Sequence, residues 1–98
     1  ANHGLALWKT GRREDALPMI RAASGRLPEL AVVHLNLAEL CGEMRLRDEG
    51  RAALGRARPL VPKIKGPPEL RREIDEQIGR CEALLAGLAE PPTRAEDR

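Results

Sequence analysis

The stretch Asn2-His3-Gly4-Leu5-Ala6-Leu7-Trp8-Lys9-Thr10-Gly11-Arg12-Arg13-Glu14-Asp15-Ala16-Leu17 decides the fold. Apolar and small side chains recur in it at helical spacing up to Trp8, Gly11 interrupts the pattern, and a second helical run opens at Arg13. A shift of 34 residues lays this unit on the next one. Asn2 falls on Asn36, Arg13 on Arg47, Ala23 on Ala57 and Pro28 on Pro62 as identities, and Glu14-Asp15 falls on Asp48-Glu49. Small residues meet small ones (Gly4 and Ala38, Ala16 and Gly50), and apolar residues meet apolar ones (Ile20 and Leu54, Leu27 and Val61, Leu30 and Ile64).

Working outward, the helical pattern breaks at Gly11, around Leu27-Pro28, near Arg45, from Pro59 to Pro68 and at Pro91-Pro92. Five helices are expected, over 1–10, 13–24, 31–43, 47–57 and 69–89. The last is the most amphipathic, with Leu70, Ile74, Ile78, Cys81, Leu84, Leu85 and Leu88 on one arc of about 120°. Composition agrees, because 42% of the 98 residues are apolar and only 1% aromatic. A core of Leu, Ala, Ile and Val with few strand formers favours helices.

The repeated unit resembles the tetratricopeptide repeat family, whose period is about 34 residues and whose signature sets small and large residues on two antiparallel helices. Residues 2–17 match its first helix, turn glycine and the start of its second helix, and Ala23 and Pro28 complete the unit. The signature's small residue in the first helix falls on Gly4 and Ala38, and the alanine early in the second helix on Ala16 and Gly50. In the second copy the turn glycine is Arg45, and across the two copies Leu7, His34 and Cys41 stand where the signature has aromatics. Gly50 is expected to weaken its helix by about 1 kcal/mol relative to alanine. The implied fold is all-α, an α-solenoid of antiparallel helix-turn-helix repeats. It would comprise one domain over 1–92, with an incomplete first repeat over 1–30, a second over 31–64, a capping helix over 68–90 and a flexible tail over 93–98.

The resemblance also implies a function. The first helices of successive repeats line a concave groove that binds an extended peptide or another protein's helix. Here the expected contacts are Asn2, Leu5, Trp8 and Lys9 from the first unit with Val32, Leu35, Asn36, Glu39 and Glu43 from the second. Asn2 and Asn36 could read a ligand backbone, since an amide both donates and accepts, or could bridge neighbouring helices. A subset of the family clamps chaperone C-termini, but of that set only Asn36 is matched, with Leu5, Gly66 and Leu70 at the other positions. That specificity is not carried over. Trp8 and Leu5 beside Glu39 and Glu43 point to a ligand with apolar anchors and some positive charge.

Charge is uneven along the chain. Residues 1–44 balance, residues 45–66 carry seven basic against two acidic side chains, and residues 67–98 carry five against eight. Arg47, Arg51 and Arg58 share one side of a helix, with Lys63 and Lys65 following as the rest of a basic patch. It reads as a solvated face, as a docking surface for an acidic partner, or as a contact for RNA or DNA. Nucleic-acid modules add stacking aromatics or a recognition helix, and one Trp argues against that class.

No catalytic motif stands out. Ser24 lacks a nucleophile elbow, there is no phosphate-binding glycine loop, and Cys41 and Cys81 lack metal-ligand spacing. His3, His34 and both thiols read as packing residues, with catalytic or redox roles as the alternatives. Glu14-Asp15 and Asp48-Glu49 suit positive helix ends, with paired catalytic carboxylates as the alternative. No cofactor or metal is expected. The absence of an apolar run of membrane length argues against a membrane partner, and the cysteine usage favours the cytoplasm. The expected function is therefore a non-catalytic adaptor or scaffold for a protein or peptide. The alternative is an accessory region of a larger enzyme, because the sequence reads as a fragment opening inside a helix. Leu5, Leu7 and Trp8 at that opening also invite self-association.

Overall fold

A computed structural model describes residues 8–88 of the chain. Among them are four α-helices and no strand: α1 (Arg13–Arg26), α2 (Ala31–Glu43), α3 (Arg47–Ala57) and α4 (Pro68–Ala86). A 3₁₀ helix, Arg58–Lys63, continues α3. The helix expected over 1–10 lies outside the described residues apart from Trp8 and Lys9, which are helical. The tail over 93–98 lies outside them entirely.

Helix α2 is central because it is apolar on every side but the one that carries Asn36, Glu39 and Glu43. Ala31, Val33, His34, Leu35, Leu37, Ala38, Leu40, Cys41 and Gly42 are all buried. A helix apolar nearly all round must be covered on several sides. Helices α1, α3 and α4 all pack on it, and α4 also touches α3. Ala16, Leu17 and Ile20 close the α1 side, Ala53, Leu54 and Ala57 the α3 side, and Ile74, Cys81 and Leu85 the α4 side. The alanines among them allow near axial approach of about 8–10 Å.

Backbone features recur 34 residues apart. Gly11 N–H donates to Trp8 O at 3.0 Å and Arg45 N–H to Gly42 O at 3.3 Å. Ala16 to Arg12 is repeated by Gly50 to Leu46, at 3.0 and 2.9 Å, and Leu30 to Leu27 by Ile64 to Val61, both at 3.1 Å. Helices α1 and α3 start at positions 34 apart, each with two acidic residues in its first turn.

Several local expectations are corrected. Helix α1 runs to Arg26, through Pro18, which sits on its exposed face where the carbonyl left without a donor can be solvated. The break expected after Ala57 is the 3₁₀ helix, whose Pro59 and Pro62 have the fixed φ that a tight helix accepts, and which buries Val61. Helix α4 ends at Ala86, and Gly87 N–H closes it on Ala83 O at 3.1 Å. Gly50 is not a defect in α3. A Cβ there would lie 2.6 Å from Leu85 Cδ2 and 3.2 Å from Cys41 Cβ, so glycine lets three helices approach without displacing either side chain.

His34 is a core residue. Its Nε2 is 2.8 Å from Pro28 O and its Nδ1 is 2.9 Å from Ser24 Oγ. A carbonyl can only accept, so Nε2 carries the proton and Nδ1 accepts from the Ser24 hydroxyl. The imidazole thus joins the last turn of α1 to the start of α2 with both nitrogens satisfied.

Candidate functional site

Between α2, α4 and the turn holding Trp8 lies an open groove of about 650 Å³. Six side chains expected as groove contacts line it: Trp8, Lys9, Val32, Asn36, Glu39 and Glu43. Val32, Asn36, Glu39 and Glu43 recur every three or four residues along α2, which places them on one side of that helix. Val32 is 40% exposed, an apolar anchor left open on an otherwise buried helix.

One expected contact is corrected. Leu35 has no exposed surface and packs in the core, on the side of α2 where the carbonyl of the same residue accepts a long bond from Cys81 Sγ at 3.6 Å. Asn2 and Leu5 lie outside the described residues.

The polar groups of the groove are already ordered. Glu43 Oε1 accepts from Trp8 Nε1 at 2.7 Å and from Arg13 Nε at 2.8 Å, which fixes the indole against α2. Glu39 accepts from Gln77 Nε2 at 3.1 Å and from Arg80 Nε at 3.0 Å. That hydrogen bond to Glu39, together with its charge, raises the Arg80 pKa above its ordinary value. Gln77 Nε2 also donates to Asn36 Oδ1 at 2.8 Å, so the Asn36 oxygen bridges two helices. Among the described residues the Asn36 amide nitrogen has no partner, and it can still donate to a ligand.

The α4 wall, Glu73, Glu76, Gln77 and Arg80, was not foreseen. Its signal is present in the sequence: 73, 77 and 80 run beside the apolar arc of α4 at helical spacing. The missing element was the way α4 lies across α2, which only tertiary packing supplies. Glu39 and Glu43 are each paired with an arginine, whereas Glu73 makes no ion pair among the described residues.

The basic residues divide between two places. Arg47, Arg51 and Arg58 line a second groove of about 680 Å³ between α3 and α4, while Lys63 and Lys65 are exposed outside it. The two thiols are buried and unpaired, and burial pushes the pKa of each up to about 12. Among the described residues no cluster of His, Cys, Asp and Glu could hold a metal ion, and no helix is long and apolar enough to cross a membrane.

Compared with family models, with curated proteins and with solved structures, the chain matches none. The geometry of its own grooves therefore carries the functional argument.

Proposed function

We propose that the chain is a tetratricopeptide-like helical-repeat module, without catalytic activity of its own, that binds a peptide or a partner protein in the groove between α2 and α4. One observation carries the reading. Six side chains expected as contacts from the repeat pattern line a single open groove, among them a half-buried tryptophan and an exposed valine. The backbone bonds that recur at 34 residues support the repeat part of it.

The groove would work by pre-organisation. Trp8 is held by Glu43, Glu39 by Arg80, and Asn36 by Gln77, so less side-chain freedom is lost when a ligand arrives. Trp8 and Val32 supply apolar contact, the Asn36 N–H₂ donates to a carbonyl, and Glu73 offers a carboxylate to a basic side chain.

Selection of displayed random peptides on the wild-type chain tests this. Selected peptides should lose at least about tenfold in affinity against Trp8→Ala combined with Asn36→Ala, because apolar anchors and buried hydrogen bonds carry most interface energy. Peptides that bind the double variant unchanged would remove the groove from the proposal.

A further inference from the structure

The second groove, on the α3 side of α4, has a different chemistry. Leu54, Leu85 and Leu88 form its apolar floor, and Arg51 and Arg58 stand on its rim. Arg51 is exposed and makes no ion pair among the described residues, and Arg58 meets one carboxylate, Glu82, at 2.6 Å. Gly55 sits between the two arginines, and a Cβ there would meet nothing within 4 Å, so the groove is open to close approach at its middle.

We propose that this groove docks an acidic amphipathic helix from a partner protein. Charge complementarity selects the partner, since cations outnumber carboxylates among the lining residues and the chain's basic block, residues 45–66, supplies them. Geometry selects a helix. Two helices with an apolar furrow between them accept a third at the usual axial separation, the mode in which an amphipathic helix lays its apolar side into a groove. Arg51 and Arg58 are seven residues apart along a helical backbone, a rise of about 10 Å, so carboxylates seven residues apart on a helix alongside meet both. Arginine suits the task because its planar fork holds a carboxylate through two parallel N–H donors. The site differs from the groove between α2 and α4 in position and in the sign of its charge.

Two synthetic peptides test it on the chain as it stands. Both carry leucines at i, i+3 and i+7; one has glutamates flanking that face with a seven-residue pair among them, and the other has lysines in the same places. Calorimetric titration should show the glutamate peptide binding at least about tenfold more tightly, with affinity falling as salt rises. Arg51→Glu with Arg58→Gln should remove that preference, and Asn36→Ala should leave it unchanged. Gly55→Glu is a second probe, because a Cβ at that position meets nothing within 4 Å and the added carboxylate falls between Arg51 and Arg58. It should block the glutamate peptide while circular dichroism stays helical. Equal affinity for the two peptides, or glutamate-peptide binding that survives Gly55→Glu, would overturn the proposal. So would a single-stranded oligouridine that binds through Arg51 and Arg58 while the glutamate peptide does not.

Discussion

Gly11 and Arg45, 34 positions apart, both hold the left-handed backbone, at φ +88° and +65°. Each follows a helix by two residues and donates its N–H back into the last turn. At Arg45 the closure is complete, because Leu46 N–H also reaches Cys41 O at 2.8 Å, the pair of bonds of a Schellman ending. Glycine is preferred there because a Cβ makes the left-handed form cost about 1–2 kcal/mol. Arg45→Gly relieves that cost but gives the unfolded chain about 0.4–1 kcal/mol more conformational freedom. The expected net result is stabilisation of up to about 1 kcal/mol, with Gly11→Ala destabilising by a similar net amount. Urea midpoints measure both, and an Arg45→Gly variant that unfolds earlier would show that the arginine side chain contributes more than its backbone strain costs.

The helical glycines divide by what surrounds them. A Cβ on Gly42 would lie 2.8 Å from Leu84 Cβ, an atom fixed to the α4 backbone, so α2 and α4 would have to separate. Overpacking of this kind costs about 1–3 kcal/mol. Gly55 and Gly79 have open space instead, and alanine there gains up to about 1 kcal/mol of helix propensity. Gly42→Ala should therefore lower the melting temperature, and Gly55→Ala and Gly79→Ala should raise it. Equal shifts for all three would mean that propensity alone governs these sites.

The same contrast explains what could be read in advance. Starts at Arg13, Ala31 and Arg47 were legible because apolar period and turn residues agree there. The break near Arg45 was legible from the repeat, but its left-handed backbone was not, because an arginine does not announce that conformation as Gly11 does. Gly50 looked like a weak point until Leu85 appeared above it. The groove contacts on α2 followed from spacing, but Leu35 did not, because α2 is apolar on almost every side and its hydropathy does not say which side α4 covers.

His34 joins two helices through two hydrogen bonds, so its replacement should cost more than that of either partner. Ser24→Ala leaves the imidazole one acceptor bond short, worth about 1 kcal/mol. His34→Leu strands the Pro28 carbonyl and the Ser24 hydroxyl together, for about 2–4 kcal/mol, since each buried unsatisfied group costs about 1–3 kcal/mol. Losses in the double variant should be well below the sum of the single losses, as expected for residues sharing a bond. Additive losses in a double-mutant cycle would remove the pair from the account.

Both thiols should be inert while the chain is folded. With each pKa raised by burial to about 12, neither Cys41 nor Cys81 should react with a thiol reagent at pH 8, and both should react in denaturant. A raised folded pKa gives stability that is present below the unfolded value, near 9, and lost as pH rises through the folded value. Between those limits the unfolded chain releases protons that the folded chain keeps. Stability should fall by about 1.4 kcal/mol per pH unit for each cysteine. Cys81→Ala should halve the slope, and a flat stability curve from pH 9 to pH 11 would contradict the burial of the thiols.

Trp8 reports on its own groove, because it is the sole tryptophan and its indole donates to Glu43 across 35 positions of sequence. Arg13 shares the same carboxylate oxygen, so Glu43→Leu frees both the indole and the guanidinium at once. The Arg13 pair is half exposed and contributes about 0–1 kcal/mol at most to folding. Stability should therefore change little in Glu43→Leu, while Trp8 emission moves to longer wavelength as the ring loses its fixed place. Peptides selected on the groove between α2 and α4 should shift emission in the wild type. They should bind Glu43→Leu about three- to tenfold more weakly, because the anchor is no longer pre-set. A selected peptide that leaves Trp8 emission untouched binds elsewhere on the chain, and unchanged affinity in Glu43→Leu would show that a fixed indole is not what the groove offers.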